Sequence, residues 1–92
     1  MSDKNSCPLR VKIITPEGEK NEIYCESLTV TVRDNEKGKG GGSYGIRKGH
    51  AEALIALDKG KITAKKGEEI IFSETFPEGF LSVKNNYIEI IL

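Results

Sequence analysis

The sequence predicts an all-β protein, a flattened antiparallel β-sandwich of about 8–10 short strands, and three observations predict it. Leu9-Arg10-Val11-Lys12-Ile13 alternates strictly, with three apolar residues on one face and two cations on the other, as a half-buried strand must. Turn signals built from Pro, Gly and Asn recur at short intervals along the chain. Near the C-terminal end, Leu81-Ser82-Val83-Lys84 and Tyr87-Ile88-Glu89-Ile90 flank Asn85-Asn86, two residues that tolerate the positive φ of a tight hairpin turn. That turn sets Val83 opposite Ile88 and Leu81 opposite Ile90, so the apolar faces agree in register.

Residues 1–8 are polar, end in Pro8 and read as a flexible terminus, which leaves one domain over 9–92. After the first strand, Pro16-Glu17-Gly18-Glu19 is a turn. Pairing Ile23 and Cys25 with Ile13 and Val11 across it needs a three-residue turn at Glu17-Gly18-Glu19. The second strand is long, from about Glu22 to Val32, and its inward set changes parity. Ile23 and Cys25 face one way, whereas Leu28, Val30 and Val32 fit the same face only if a bulge or bend intervenes near Glu26-Ser27. Such a bend is how a strand passes from one sheet of a sandwich to the other.

Residues 33–44 carry Arg33-Asp34-Asn35-Glu36-Lys37 and then four glycines in five positions, and read as a flexible excursion outside the sandwich. Beyond it, Gly45-Ile46-Arg47-Lys48-Gly49-His50 reads as a loop whose glycines hold an unusual backbone and present two cations before the single histidine. Ala51–Leu57 favours helix by propensity, but it is short and ends at Asp58-Lys59-Gly60; its unbroken apolar run suits a strand buried on both faces. Ile62-Thr63-Ala64 and Ile70-Ile71-Phe72 flank Lys65-Lys66-Gly67-Glu68-Glu69 as another hairpin.

Composition removes several functions. Fourteen basic and fourteen acidic residues give a net charge of zero over 92 residues, so the excess of Lys and Arg that drives binding to nucleic acid or an anionic membrane is missing. No apolar run is long enough to cross a bilayer, and Met1–Ser6 lacks the apolar core of a signal peptide, so a soluble, cytoplasmic protein without direct membrane insertion is expected. In the register above, Cys7 and Cys25 lie about four residues apart on neighbouring strands, on the order of 13 Å. That exceeds the reach of a disulfide, so both are expected as thiols.

The chemistry-bearing residues do not assemble into a catalytic or metal site. His50 is alone, the cysteines lack metal-ligand spacing, and neither a nucleophile nor an orienting carboxylate is paired with the imidazole. Gly40-x-Gly42-x-x-Gly45 matches the dinucleotide fingerprint as a string, but Arg47-Lys48-Gly49 follows it where a helix is required. Glu68, Glu69, Glu74 and Glu78 lie in or beside turns and read as solvated surface. No catalytic residue, cofactor or metal is expected.

Five motifs occur in an order that carries a resemblance: Val11-Lys12-Ile13-Ile14-Thr15-Pro16-Glu17-Gly18; Glu26-Ser27-Leu28-Thr29-Val30; Gly45-Ile46-x-x-Gly49-His50-Ala51; Ala56-Leu57-x-x-Gly60-x-Ile62; and Gly79-Phe80-Leu81-x-Val83-x-x-Asn86-x-Ile88. From Val11 to Leu92 the chain resembles the ε subunit of rotary ATP synthases. The resemblance implies the N-terminal β-sandwich domain of that subunit, a non-catalytic part that docks on the γ subunit and touches the c-ring of the membrane sector. Its role would be to couple ion-driven rotation of the ring to the γ shaft, from a cytoplasmic position peripheral to the membrane. Ala51–Leu57 is then a strand.

On that resemblance the ring-facing surface is Tyr44, Gly45, Ile46, Arg47, Lys48, Gly49 and His50. Tyr44 and Ile46 would bring apolar area, Arg47 and Lys48 charge, Gly49 the bend and His50 a hydrogen bond. Three departures qualify the match. The sequence ends at Leu92 without the family's C-terminal helical hairpin, so inhibition and ATP sensing are not expected. Ser43 stands where an acidic residue is usual, with Arg47-Lys48 replacing an apolar residue and proline, and the 32–45 segment is longer than usual. The competing reading is a stand-alone cytosolic β-sandwich module that binds through the glycine-rich loop. An exposed apolar patch away from that loop would favour the subunit.

Overall fold

The computed structural model describes residues 8–32 and 42–92. Nine strands account for most of them: β1 (Leu9–Thr15), β2 (Gly18–Cys25), β3 (Ser27–Val32), β4 (Gly42–Arg47), β5 (Ala53–Leu57), β6 (Gly60–Lys66), β7 (Glu69–Phe76), β8 (Gly79–Lys84) and β9 (Tyr87–Ile91). Ladder order runs β2-β1-β9-β8-β5-β3-β6-β7, with β4 on the free side of β3. β5 meets β3 at only one residue pair, Val32 with Leu57, supported by the Asp58 N–H on the Thr31 carbonyl at 3.0 Å. The sheet therefore curls there into two leaves, β2-β1-β9-β8-β5 and β4-β3-β6-β7.

Alternation in the strands supplies the filling. Leu9, Val11 and Ile13, Leu81 and Val83, and Ile88 and Ile90 are buried in the first leaf; Leu28, Val30, Ile46, Ile62 and Ala64 are buried in the second. All belong to one core. The β8–β9 hairpin has the predicted register, Val83 with Ile88 and Leu81 with Ile90, and Asn85 and Asn86 sit at φ of 53° and 65°. The change of parity after Cys25 occurs at Glu26, which lies between β2 and β3. Its N–H donates to the Lys65 carbonyl at 2.8 Å, and its Oε1 accepts the Gly67 N–H at 2.7 Å, so the bend is tied to the β6–β7 turn.

Four expectations need correction. The β1–β2 register is displaced by two residues: Cys25 opposes Leu9 and Ile23 opposes Val11. The turn is tight, with Thr15 opposite Gly18, and a bulge lets Ile13 face Asn21 and Ile14 face Glu19. A displacement of two keeps every side chain on its face, so alternation cannot detect it. Cys25 is buried, while Cys7 lies outside the described residues. Second, β1 pairs with β9 in parallel, so the sheet is not antiparallel throughout. Third, β5 is a strand, but Leu54 is 73% exposed, so only one of its faces is buried. Fourth, residues 42–44 belong to β4; the rest of the glycine-rich excursion and residues 1–7 lie outside the described residues.

Candidate functional site

The predicted 44–50 stretch is a strand and a turn. Tyr44 to Arg47 form the end of β4, with Ile46 opposite Leu28, Gly45 opposite Thr29 and Arg47 opposite Ser27. Gly45 has ordinary strand backbone, and a Cβ there would meet nothing within 4 Å. Only Gly49 takes a conformation that favours glycine, at φ +83°. Ile46 is fully buried. The expectation that it brings apolar area to a partner is therefore wrong, because adding β4 to β3 turns alternate residues into the core. Tyr44 at the edge, Gly45, Arg47, Lys48 and Gly49 are exposed, and His50 is half-buried.

Both nitrogens of His50 are engaged within the chain. Nδ1 lies 2.7 Å from the Ala51 carbonyl, which can only accept, so Nδ1 carries the proton. In that tautomer Nε2 accepts the Tyr44 hydroxyl at 2.7 Å. The two rings meet edge-on, 5.6 Å apart at 72°. From the other side Asn86 Oδ1 accepts the Gly49 N–H at 2.8 Å. His50 thus acts as a brace for the tip of the β4 arm. Asn86 was visible in the sequence as a turn residue only; that it would reach Gly49 depends on tertiary placement that spacing does not encode.

Among the described residues, no cluster of His, Cys, Asp and Glu can hold a metal ion. Gly42 and Gly45 of the dinucleotide string lie within β4, with a turn and a further strand following; Gly40 lies outside the described residues. A shallow groove beside the tip is lined by Glu26, Ser27, Arg47, Lys48 and Gly67.

A second feature lies on the outward face of the first leaf. One cross-strand row there reads Ala56, Phe80, Ile91 and Ile14, and Phe80 and Ile91 are 55% and 46% exposed. Leu54, in the adjoining row opposite Ser82, widens the patch. Phe80 stands six residues from Asn86 along β8 and its turn, about 20 Å at strand rise, so the Phe80–Ile91 end of the patch lies away from the tip, while Leu54 extends it back along β5. The sequence held a signal for it: Leu54, Phe80 and Ile91 are apolar residues out of phase with the inward sets of their strands. The patch's polar neighbours are internally paired. Arg10 bonds Glu22 and lies over the Tyr87 ring, and Lys12 pairs with Glu19 at 3.0 Å.

A sequence model of the ATP synthase delta/epsilon chain β-sandwich domain matches residues 8–92. The chain belongs to this family. The match is to the β-sandwich domain of the delta/epsilon chain, a non-catalytic subunit of the ATP synthase. A search of curated protein sequences finds no match. Among solved structures, the chain is similar to a chain in the cryo-EM structure of the central stalk and c-ring of the Tetrahymena thermophila mitochondrial ATP synthase, with a TM-score of 0.67 at 20% identity over 91% of this chain. It spans 62% of that chain's length. The delta/epsilon assignment agrees with the nine-stranded curled sheet, and likeness at that identity speaks to the fold alone.

Proposed function

We propose that this delta/epsilon-type domain is a two-sided coupling element of the rotor, epsilon-like, docked through its outward apolar patch on the γ subunit and touching the c-ring with the β4 tip. Its role is to transmit ion-driven rotation of the ring to the γ shaft from the cytoplasmic side, peripheral to the membrane. The observation that carries the reading is the Leu54–Phe80–Ile91 patch, 73%, 55% and 46% exposed, on the outward face of the first leaf, with the paired Phe80 and Ile91 at the end away from the tip. Burial of such a surface against a partner is favourable by roughly 25 cal/mol per Å², and a monomeric binding module working through the tip has no use for it. A stiff body suits the task, because torque is carried only if the two contacts cannot move relative to one another. The shared core and the Asn86 bond to Gly49 supply that stiffness.

In this reading Arg47 and Lys48 give the tip its charge, Gly49 its bend, and the Tyr44–His50 pair holds the arm in place. Calorimetric titration against γ from the same organism tests it. Binding is expected to survive Arg47→Glu with Lys48→Glu and to be lost with Leu54→Ser and Phe80→Ser. Equal loss in both double variants, or no binding by the folded wild-type chain, contradicts γ docking through the patch.

A further inference from the structure

We infer that the outward face of the other leaf, β4-β3-β6-β7, is a docking surface for an acidic protein segment. The inference does not rest on docking through the apolar patch, from which this face turns away, although it shares Arg47 with the tip. Inward positions of β3, β4 and β6 are occupied by the core, so the alternate residues face out. Arg47, Ser27 and Lys65 form one cross-strand row, and Thr29 and Thr63 lie in the next. Lys61 stands two residues further along β6. Among the described residues, no Asp or Glu occupies an outward position of these paired strands, although the whole chain carries as many acids as bases. Arg10 and Lys12 of the first leaf are paired with neighbouring glutamates, whereas Arg47, Lys61 and Lys65, like Lys84, have no ion pair among the described residues.

The surroundings fit a carboxylate-bearing protein better than a phosphate polymer. Hydroxyls of serine and threonine between the cations donate to carboxylate oxygens. Of the two acids at the rim, Glu26 is engaged by the Gly67 N–H at 2.7 Å, and Glu68 borders the groove that includes Lys65. Such a rim disfavours a densely charged phosphate chain more than scattered carboxylates. Among the described residues, no outward position of β3, β4 or β6 carries an aromatic ring for base stacking. Gly45 leaves a trough between Arg47 and Thr29: neither its backbone nor any packing requires a glycine, since a Cβ would meet nothing within 4 Å. The missing side chain opens space for a ligand.

The test is an NMR titration of the whole chain with an oligoglutamate peptide at low ionic strength, with inorganic tripolyphosphate as the parallel arm. Amide shifts are expected at Ser27, Thr29, Thr63 and Lys65. Binding should weaken about tenfold in Arg47→Glu with Lys65→Glu. Gly45→Trp, whose Cβ meets nothing within 4 Å, places a large side chain in the trough and should reduce it as well, and keeps the test open if the charge variant is poorly folded. Shifts centred on Arg10 or Lys84, unchanged binding in a folded variant, or no shifts at all overturn the proposal. So does tripolyphosphate displacing the peptide from the same amides and binding more tightly, which would make the face a phosphate site.

Discussion

At Asn86 the backbone sits at φ 65°, the side-chain Oδ1 accepts the Gly49 N–H at 2.8 Å, and the carbonyl accepts the Arg10 N–H at 3.0 Å. One residue therefore ties the β8–β9 turn to the β4 tip and to the start of β1. Asn86→Gly keeps the backbone conformation and removes the acceptor, so urea unfolding should show a loss of about 1 kcal/mol. Asn86→Ala should cost about 1 kcal/mol more, because a Cβ at positive φ adds strain; the opposite order would contradict this account. Gly79 is needed for close approach, since a Cβ there would lie 2.4 Å from the Ile91 carbonyl oxygen. Gly79→Ala is expected to cost about 2 kcal/mol by the same measurement. The turn at Asn85-Asn86 was legible because positive φ has a residue signature, whereas the reach of Asn86 to Gly49 and the contact at Gly79 come from strands far apart in sequence.

At the level of elements, β4 is the clearest case of a strand that pattern reading misses. Gly42-Ser43-Tyr44-Gly45-Ile46-Arg47 carries one fully buried residue and two glycines, a composition that reads as loop. It becomes a strand because β3 offers a free edge. Ile46→Ala should therefore destabilise the fold by about 3 kcal/mol, as a core truncation does, measured as a lowered unfolding midpoint. A loss below about 0.5 kcal/mol, the usual range for surface positions, would show that β4 is not part of the core. Hairpin β8–β9 was read correctly to the residue because its turn length is fixed by two asparagines. β1–β2 was read two residues out because a bulge absorbs the difference, and the parallel β1–β9 pair joins segments whose separation carries no local signal. The bend at Glu26 was legible from parity alone; its anchoring on Lys65 and Gly67 was not.

Across the whole molecule, the proposed contacts fall on three surfaces: an apolar patch on one leaf, a cationic hydroxyl face on the other, and a braced tip at one end. Sequence motifs located the tip but placed Ile46 on its surface, and the patch emerged only when outward phases were assigned strand by strand. Charge is distributed to match. The Glu19 carboxylate, by hydrogen bond and then by its charge, holds the Lys12 amine above its ordinary 10.5. A raised amine contributes stability that is complete below the ordinary lysine value and lost as pH rises through the raised one. Alkaline titration followed by NMR should show Lys12 deprotonating above its ordinary value, and Glu19→Gln should bring it back. In the proposed arrangement the Leu54–Phe80–Ile91 patch, rather than the tip, meets the γ subunit. Hydrogen exchange on the domain bound to γ measures this most directly: slowed exchange is predicted at the β5 and β8 amides bordering the patch, with Lys48 and Gly49 unchanged. Slowed exchange at the tip, with β5 and β8 unaffected, would contradict it.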